Sequence, residues 1–435
     1  MYFIIETKEQ LAQLPKVDKC FIDVISLSEE THPSLTSPCV LYYNDFSKGY
    51  IIPFNHTETF ALTIEDVKFL LEGTVYLLDQ KWHAQVCNLQ IANCVDLYQT
   101  LLDQEGTIRD IDCYTNIHSD YYRKFMYLEE VNALIPISKH YERCECMFEA
   151  IRPFIGKEQN SLWLNAYTDA YRWVEEQGIA IDEKVFDKHF EPVWKARSIK
   201  DGKIYGKYNL YNITSRPTNA FNGINFLAFN KENGSRAAFI PKNDIFIEFD
   251  FDGYHPRLIA NLLNIELPTD RSIHEVLGQQ YFGKEVLTPE EYQESKKITF
   301  RQLYNGVEYQ FKEILFFKQI AEFIEQMEIE YKKTGQIVLP NGRTLKQEGF
   351  NAQKLFNYYI QCLETVNNVK KLTRLRKLFK GKKSKVVLVV YDSILIDYST
   401  EDCKGFLGEI KAVLEEDGYR VKAQKGFNYN FSSQN

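Results

Sequence analysis

Two aspartates stand where apolar strands break, and a pair of carboxylates so placed can hold divalent cations for phosphoryl chemistry. Residues 245–263 read IFIEFDFDGYHPRLIANLL. The apolar run Ile245–Phe249 reads as a strand, Asp250 and Asp252 follow it, and Leu258, Ile259 and Leu262 continue at helical spacing. A carboxylate at a strand end beside an open turn can hold a hard cation without being buried. Met once, such a residue would ordinarily be a turn former or a helix cap. It is met twice. Residues 385–397, KVVLVVYDSILID, are a buried β-branched run broken at Asp392 before a second apolar segment. Strands of this kind laid side by side give the arrangement that two-metal phosphoryl transfer needs, with ions about 3.5–4 Å apart.

Three further stretches bear on the same chemistry. Thr288-Pro289-Glu290-Glu291 is a helix start with Thr as N-cap, Pro first and Glu three after the cap. The helix it opens carries Tyr292, Lys296, Phe300 and Tyr304 at i, i+4 spacing, so they share one stripe. An aromatic stripe is commonly core, but a lysine in its middle suits a triphosphate flanked by stacking rings. Residues 202–225, GKIYGKYNLYNITSRPTNAFNGIN, interleave lysines with tyrosines, which fits an exposed hairpin and equally fits phosphate, sugar and base contacts. Residues 370–385, KKLTRLRKLFKGKKSK, hold the strongest basic run, Lys377 and Lys380 included. Such a run is often only a solvated helix face. Concentrated in a chain of net charge −8, it favours contact with a phosphate backbone.

The elements that must position these residues lie in a chain of 435 residues, enough for two or three domains. Hydrophobic residues make up 44% and aromatic residues 14%, the composition of a globular protein. Nine cysteines include no CxxC pair and no metal-finger spacing, which points to reduced thiols. The start, MYFIIETKEQLAQL, carries acids too early for a signal peptide, and no apolar run is long enough to span a membrane, so a cytoplasmic protein is expected (host cytoplasm if viral). Residues 1–105 alternate candidate strands (YFIIE, CFIDVIS, CVLYYND, GYIIPF, TVYLLD) with an amphipathic helix near Ile64–Leu71. Residues 106–190 read as helical, with WLNAYTDAYRWVEEQG ending at Gly178 as a C′ glycine.

The order carboxylate strand, basic helix, carboxylate strand resembles the polymerase part of the DNA polymerase I family, family A, in its short bacteriophage-like versions. DFDGYHPRLIA from Asp250 looks like the first metal motif, KKITFRQLY from Lys296 the nucleotide-binding fingers helix, and Tyr391-Asp392-Ser393 the second metal motif at its aspartate. TSRPTNAFNGIN from Thr214 and GFNY from Gly426 agree, and the resemblance covers roughly residues 200–435. It implies an α/β and α+β multidomain chain: a degenerate RNase H-like exonuclease domain at 1–105, a helical linker and reduced thumb at 106–200, then a right-hand palm and fingers at 201–435, with fingers at about 265–330. The palm would be an antiparallel sheet backed by helices. Asp250 and Asp392 would hold two Mg²⁺, with Mn²⁺ able to substitute, and the Phe251 carbonyl would complete one shell. Lys296 would bind the triphosphate and protonate pyrophosphate. Phe300 would pack on the nucleotide, Tyr304 would stack at the template-base position, and His274 would contact phosphate. Arg216 would reach the primer terminus. Asn222, Asn225 and Gln361 would line the minor groove, and Arg257 is at the offset of the motif's arginine and counts with the DNA-binding residues.

Several departures shape the implied activity. His255 stands where the family has a glutamate that blocks the ribose 2′-hydroxyl, and Tyr292 stands where it has an arginine. The exonuclease signature Asp-x-Glu becomes Asp23-Val24-Ile25, and His83 replaces a second aspartate, so proofreading is not expected. The interval from Asp182 to Tyr205 is too short for the usual thumb, which implies distributive synthesis or a processivity or replisome protein that supplies the grip. The implied activity is template-directed addition of dNTPs to a DNA primer. An RNA polymerase or primase-like enzyme on the same fold and a non-catalytic DNA-binding subunit are the alternatives.

Overall fold

The computed structural model describes residues 3–106, 130–159, 162–191, 199–219, 224–229, 232–346 and 349–431, except positions 30, 60, 90 and 92. The chain divides into two compact units, one made of Met1–Arg172, Phe190–Lys207 and Ala220–Ile224, the other of Trp173–His189, Tyr208–Asn219 and Asn225–Asn435.

The first unit is built on a five-stranded sheet: β1 (Lys19–Ser26), β2 (Pro38–Asn44), β3 (Gly49–Pro53), β4 (Thr74–Leu77) and β5 (Cys94–Asp96), in the order β3-β2-β1-β4-β5. β1 pairs antiparallel with β2 and parallel with β4, and β5 continues the parallel side. Seven consecutive residues of β1 are buried, because both faces of this central strand are covered. One face meets α1 (Gln80–Cys87) and the 3₁₀ turns of Ile64–Leu71; the other meets α2 (Leu97–Glu105) and α3 (Ile137–Ile151). Three expectations change here. Of YFIIE, the described residues 3–6 form an isolated bridge, Ile4 to Ile51, and no strand. Ile64–Leu71 winds as 3₁₀ and not α. β5, three residues long, offered too short a pattern to be read.

The second unit carries β6 (Ile245–Phe251), β7 (Lys385–Val390), β8 (Ser393–Tyr398) and β9 (Val421–Gly426), an antiparallel sheet ordered β7-β8-β6-β9. Central β6 is buried except where it matters, at Asp250. β9 is mostly exposed along its length, as an edge strand with two lysines tolerates. Its helices include α4 (Tyr254–Leu263), α5 (Ile273–Phe282), α6 (Pro289–Asn305), α7 (Leu315–Thr334), α8 (Ala352–Leu378) and α9 (Phe406–Glu415). α4, α5, α6, α7 and α8 share one apolar cluster that includes Ile259, Ile273, Leu277, Leu303, Phe317 and Phe356. α8 also supplies Leu372 and Leu375 to the core, so most of its turns are anchored.

Gly253 joins β6 to α4 in the left-handed region (φ 63°), and a Cβ there would drive into the Ile273 side chain. Only glycine meets both conditions. Gly253→Ala is therefore expected to lower stability to urea by about 2 kcal/mol, measured as a shift in unfolding midpoint of the second unit's transition.

Candidate functional site

Antiparallel pairing does what the two strand breaks anticipated. Asp250 lies on β6 opposite Ser393 of β8 and Lys422 of β9. Asp392 lies in the two-residue turn between β7 and β8, next to Tyr391 in the left-handed conformation (φ 53°). The Phe251 amide donates to the Asp392 carbonyl at 3.0 Å, a main-chain bond that ties the two breaks together. Both aspartates are exposed, and their strand neighbours Phe249, Phe251 and Ser393 are buried. The protein packed round the Asp392 carboxyl pushes it above the ordinary carboxylate range, and the charge of Glu364 adds to that, against the opposing pull of its own amide, His255 and Arg216. No cluster of three or more His, Cys, Asp or Glu residues suited to a metal occurs among the described residues. The site offers two carboxylates and main-chain oxygens, a donor set that fits Mg²⁺ completing its shell with water and substrate phosphates.

α6 begins as its sequence implies, with a Thr288–Glu291 capping box. Its buried face is small and polar: Ser295 and Thr299 bond to the His274 carbonyl at 2.7 Å and the Tyr281 hydroxyl at 2.9 Å. The aromatic stripe is thereby left on the open side. Lys296 Nζ sits 4.8 Å over the Tyr292 ring. Phe300 and Tyr304 lie parallel, centroids 5.9 Å apart, with Phe300 38% exposed and the His274 ring 5.3 Å away. His274 is buried, its Nδ1 has no hydrogen-bond partner, and burial pushes its pKa down to about 4, only partly opposed by Asp252. Asp252 is buried and paired with Lys422, which outweighs the cost of burial and lowers its pKa; its second oxygen has no partner.

A chain of polar contacts runs beside Asp392. The Tyr304 hydroxyl meets His255 Nδ1 at 2.6 Å, and His255 Nε2 meets Glu364 Oε2 at 2.5 Å. A carboxylate only accepts, so the His255 Nε2–H donates to Glu364, and the Tyr304 hydroxyl closes the chain at Nδ1. Arg216 Nε and Nη2 each donate to Glu364 at 3.0 Å, and the guanidinium lies 3.8 Å over the Tyr391 ring. One turn further along α8, Asn368 donates to the Tyr391 carbonyl at 2.9 Å and accepts from Tyr254. Sequence reasoning passed over Glu364: a glutamate inside a long helix reads as surface, and its partners are distant in the chain.

Other expected residues are placed differently. Arg257 is 2% exposed, and its guanidinium donates to the carbonyls of Asp252, Gly418 and Arg271. It is spent on fixing these loops. Gln361 is half-buried one turn before Glu364, and Asn225 is exposed. Asn222 lies outside the described residues. The basic run divides: Lys370 and Arg374 pair with Asp417 and Glu416, and buried Lys371 donates to the carbonyls of Val413 and Glu416. Lys377 and Lys380 face solvent. Asp397 is buried and accepts from the amides of Lys242 and Asn243 at 2.9 Å, and so anchors that loop.

In the first unit, Asp23 lies 3.3 Å from His83, and Cys144 Sγ is 3.8 Å from its other oxygen. His83 and Arg143 overcome burial and keep Asp23 below the usual carboxylate range. A cavity of about 210 Å³ opens here, lined by Asp23, Glu29, Trp82, His83 and Arg143 among others.

The fold so assembled is similar to that of a POL domain of known structure. The chain is similar in structure to the POL domain of Pol1 from M. smegmatis, solved in complex with DNA primer-template and dNTP: the TM-score is 0.65, 95% of this chain and 96% of that chain are covered, and 14% of residues are identical. No family model and no curated protein sequence matches the chain.

The environment of His274 has a measurable consequence. Its folded pKa of about 4 lies below its unfolded value, so in acid the unfolded chain takes up the proton first. Stability contributed by this group is present above about pH 6.5 and is lost as pH falls towards 4. Comparing urea unfolding of wild type and His274→Asn across that window, the variant is expected to lose about 2 kcal/mol less.

Proposed function

We propose that this chain is a template-directed DNA polymerase that adds deoxynucleotides to a primer 3′-hydroxyl by two-metal nucleotidyl transfer. The observation that carries the reading is the pair Asp250 and Asp392, exposed on β6 and in the adjoining β7–β8 turn and joined through the Phe251–Asp392 main-chain bond, in a fold similar to that of a POL domain. The neighbouring structure's DNA primer-template and dNTP support the choice of substrates. Asp250, Asp392 and the Phe251 carbonyl are the groups that would hold Mg²⁺. When bound, the ions supply charge neutralisation for the attacking hydroxyl and the departing pyrophosphate.

The remaining roles fall to the chain's own side chains. Lys296, fixed on the Tyr292 ring at the open face of α6, binds the triphosphate and donates a proton as pyrophosphate leaves. His274, beside Phe300, is the phosphate-side donor, with its Nδ1 unpartnered. Phe300 packs against the nucleotide, and Tyr304 stacks where the template base enters. His255, held on both ring nitrogens, crowds the 2′ side of the sugar. Arg216, Asn225 and Gln361 meet the primer–template, and the exposed Lys377 and Lys380 meet its phosphates. His83 stands where the nuclease signature has its second aspartate and pairs with Asp23, which supports synthesis without proofreading.

The test is primer extension on a primed template with Mg²⁺, supplied with dNTPs or rNTPs, for wild type, Asp250→Asn and Asp392→Asn. Wild type is expected to extend with dNTPs, and each variant to lose on the order of 10³-fold or more in rate with primer–template binding retained. Extension with rNTPs alone would favour the RNA polymerase alternative. Wild type that binds primer–template and adds nothing would instead make it a binding subunit.

A further inference from the structure

Glu364 is a fully buried carboxylate with three charge-assisted contacts, two from Arg216 and one from His255, and its side chain is 2% exposed. A bidentate guanidinium–carboxylate pair fixes direction as well as distance. The fixed cation is Arg216, 3.8 Å over the ring of Tyr391, the residue before Asp392. Arg216, His255 and Glu364 all act electrostatically on Asp392. An arginine close to a carboxylate, with no partner of its own, competes with any metal ion for it.

We propose that Glu364 is a positioning residue for the metal-binding carboxylate: it clamps and neutralises the Arg216 cation beside Asp392, so that the charge of Asp392 stays available to a divalent ion. This rests on the two-metal reading above. Two effects act together. The clamp keeps the guanidinium turned to α8, and the negative charge cancels its field. His255, tied in turn to Tyr304, gives Glu364 its third contact. No strand break or stripe in the sequence marks this acid; its importance lies in what it holds.

The experiment titrates Mn²⁺ alone into the full chain, with free Mn²⁺ read by electron paramagnetic resonance and folding checked by circular dichroism. Asp392→Asn sets the background. Glu364→Gln is expected to raise the Kd for Mn²⁺ about tenfold, since it keeps the shape and removes the cancelling charge. Arg216→Gln is expected to act in the opposite sense and tighten binding several-fold, and the combined variant should return to within about twofold of wild type. A purely structural role for Glu364 would give no rescue. Arg216 is a quarter exposed, so Arg216→Gln tests the inference even where Glu364→Gln fails to fold. Unchanged or weaker Mn²⁺ binding by Arg216→Gln, or a combined variant as weak as Glu364→Gln, overturns the inference. Binding lost in Asp392→Asn yet indifferent to both charge changes overturns this inference alone. Wild type that binds no better than Asp392→Asn overturns the metal-site reading and this inference with it.

Discussion

One hydrogen bond organises the second unit: the Phe251 amide to the Asp392 carbonyl. It exists because β6 runs antiparallel to β8 in a register that sets Asp250 opposite Ser393. A slip of one residue would turn Asp250 into the core and Phe249 or Phe251 out of it. Burial of those phenylalanines therefore holds the register, and the register holds the carboxylates. Gly253 continues the same logic, because only a left-handed glycine lets α4 leave the strand against Ile273 and so bring His255 to Glu364.

α8 is the second support. Glu364, Asn367 and Asn368 lie within two turns of one helix, and between them they hold Arg216, His255, the Tyr254 hydroxyl and the Tyr391 carbonyl. The left-handed Tyr391 is a strained position for a non-glycine residue, and it is fixed from both ends: Asn368 holds its carbonyl, and Arg216 covers its ring. A helix anchored over most of its length by Phe356, Ile360, Leu372 and Leu375 can hold polar groups with little freedom to shift. A rigid helix thus fixes both the turn that carries Asp392 and the loop that carries Arg216.

Much of this could be read before the fold. Both strand breaks showed as a change of period, and the α6 start showed as a capping box, because each is a local pattern. The orientation of the α6 stripe followed less directly. Its aromatic residues suggested core, but the close approach of α5 needs small residues, and Gly278 against Ser295 takes that face. Glu364, Arg257 and the split of the basic run could not be read at all. In each case the deciding partner is far along the chain: Arg216 for Glu364, the Gly418 carbonyl for Arg257, and the acids at 416–417 for Lys370 and Arg374. β9 was missed for a different reason, since an exposed edge strand carries no alternation.

The central claim is that Asp250 and Asp392 form one metal centre. Anomalous diffraction at the manganese edge, from crystals grown with Mn²⁺, primer–template and an incoming nucleotide, tests it most directly. Two peaks about 3.5–4 Å apart, both within coordination distance of these two carboxylates, are the expected result. Manganese bound elsewhere, at Asp252 or at the acids of the first unit, with the Asp250–Asp392 pair empty, would contradict it.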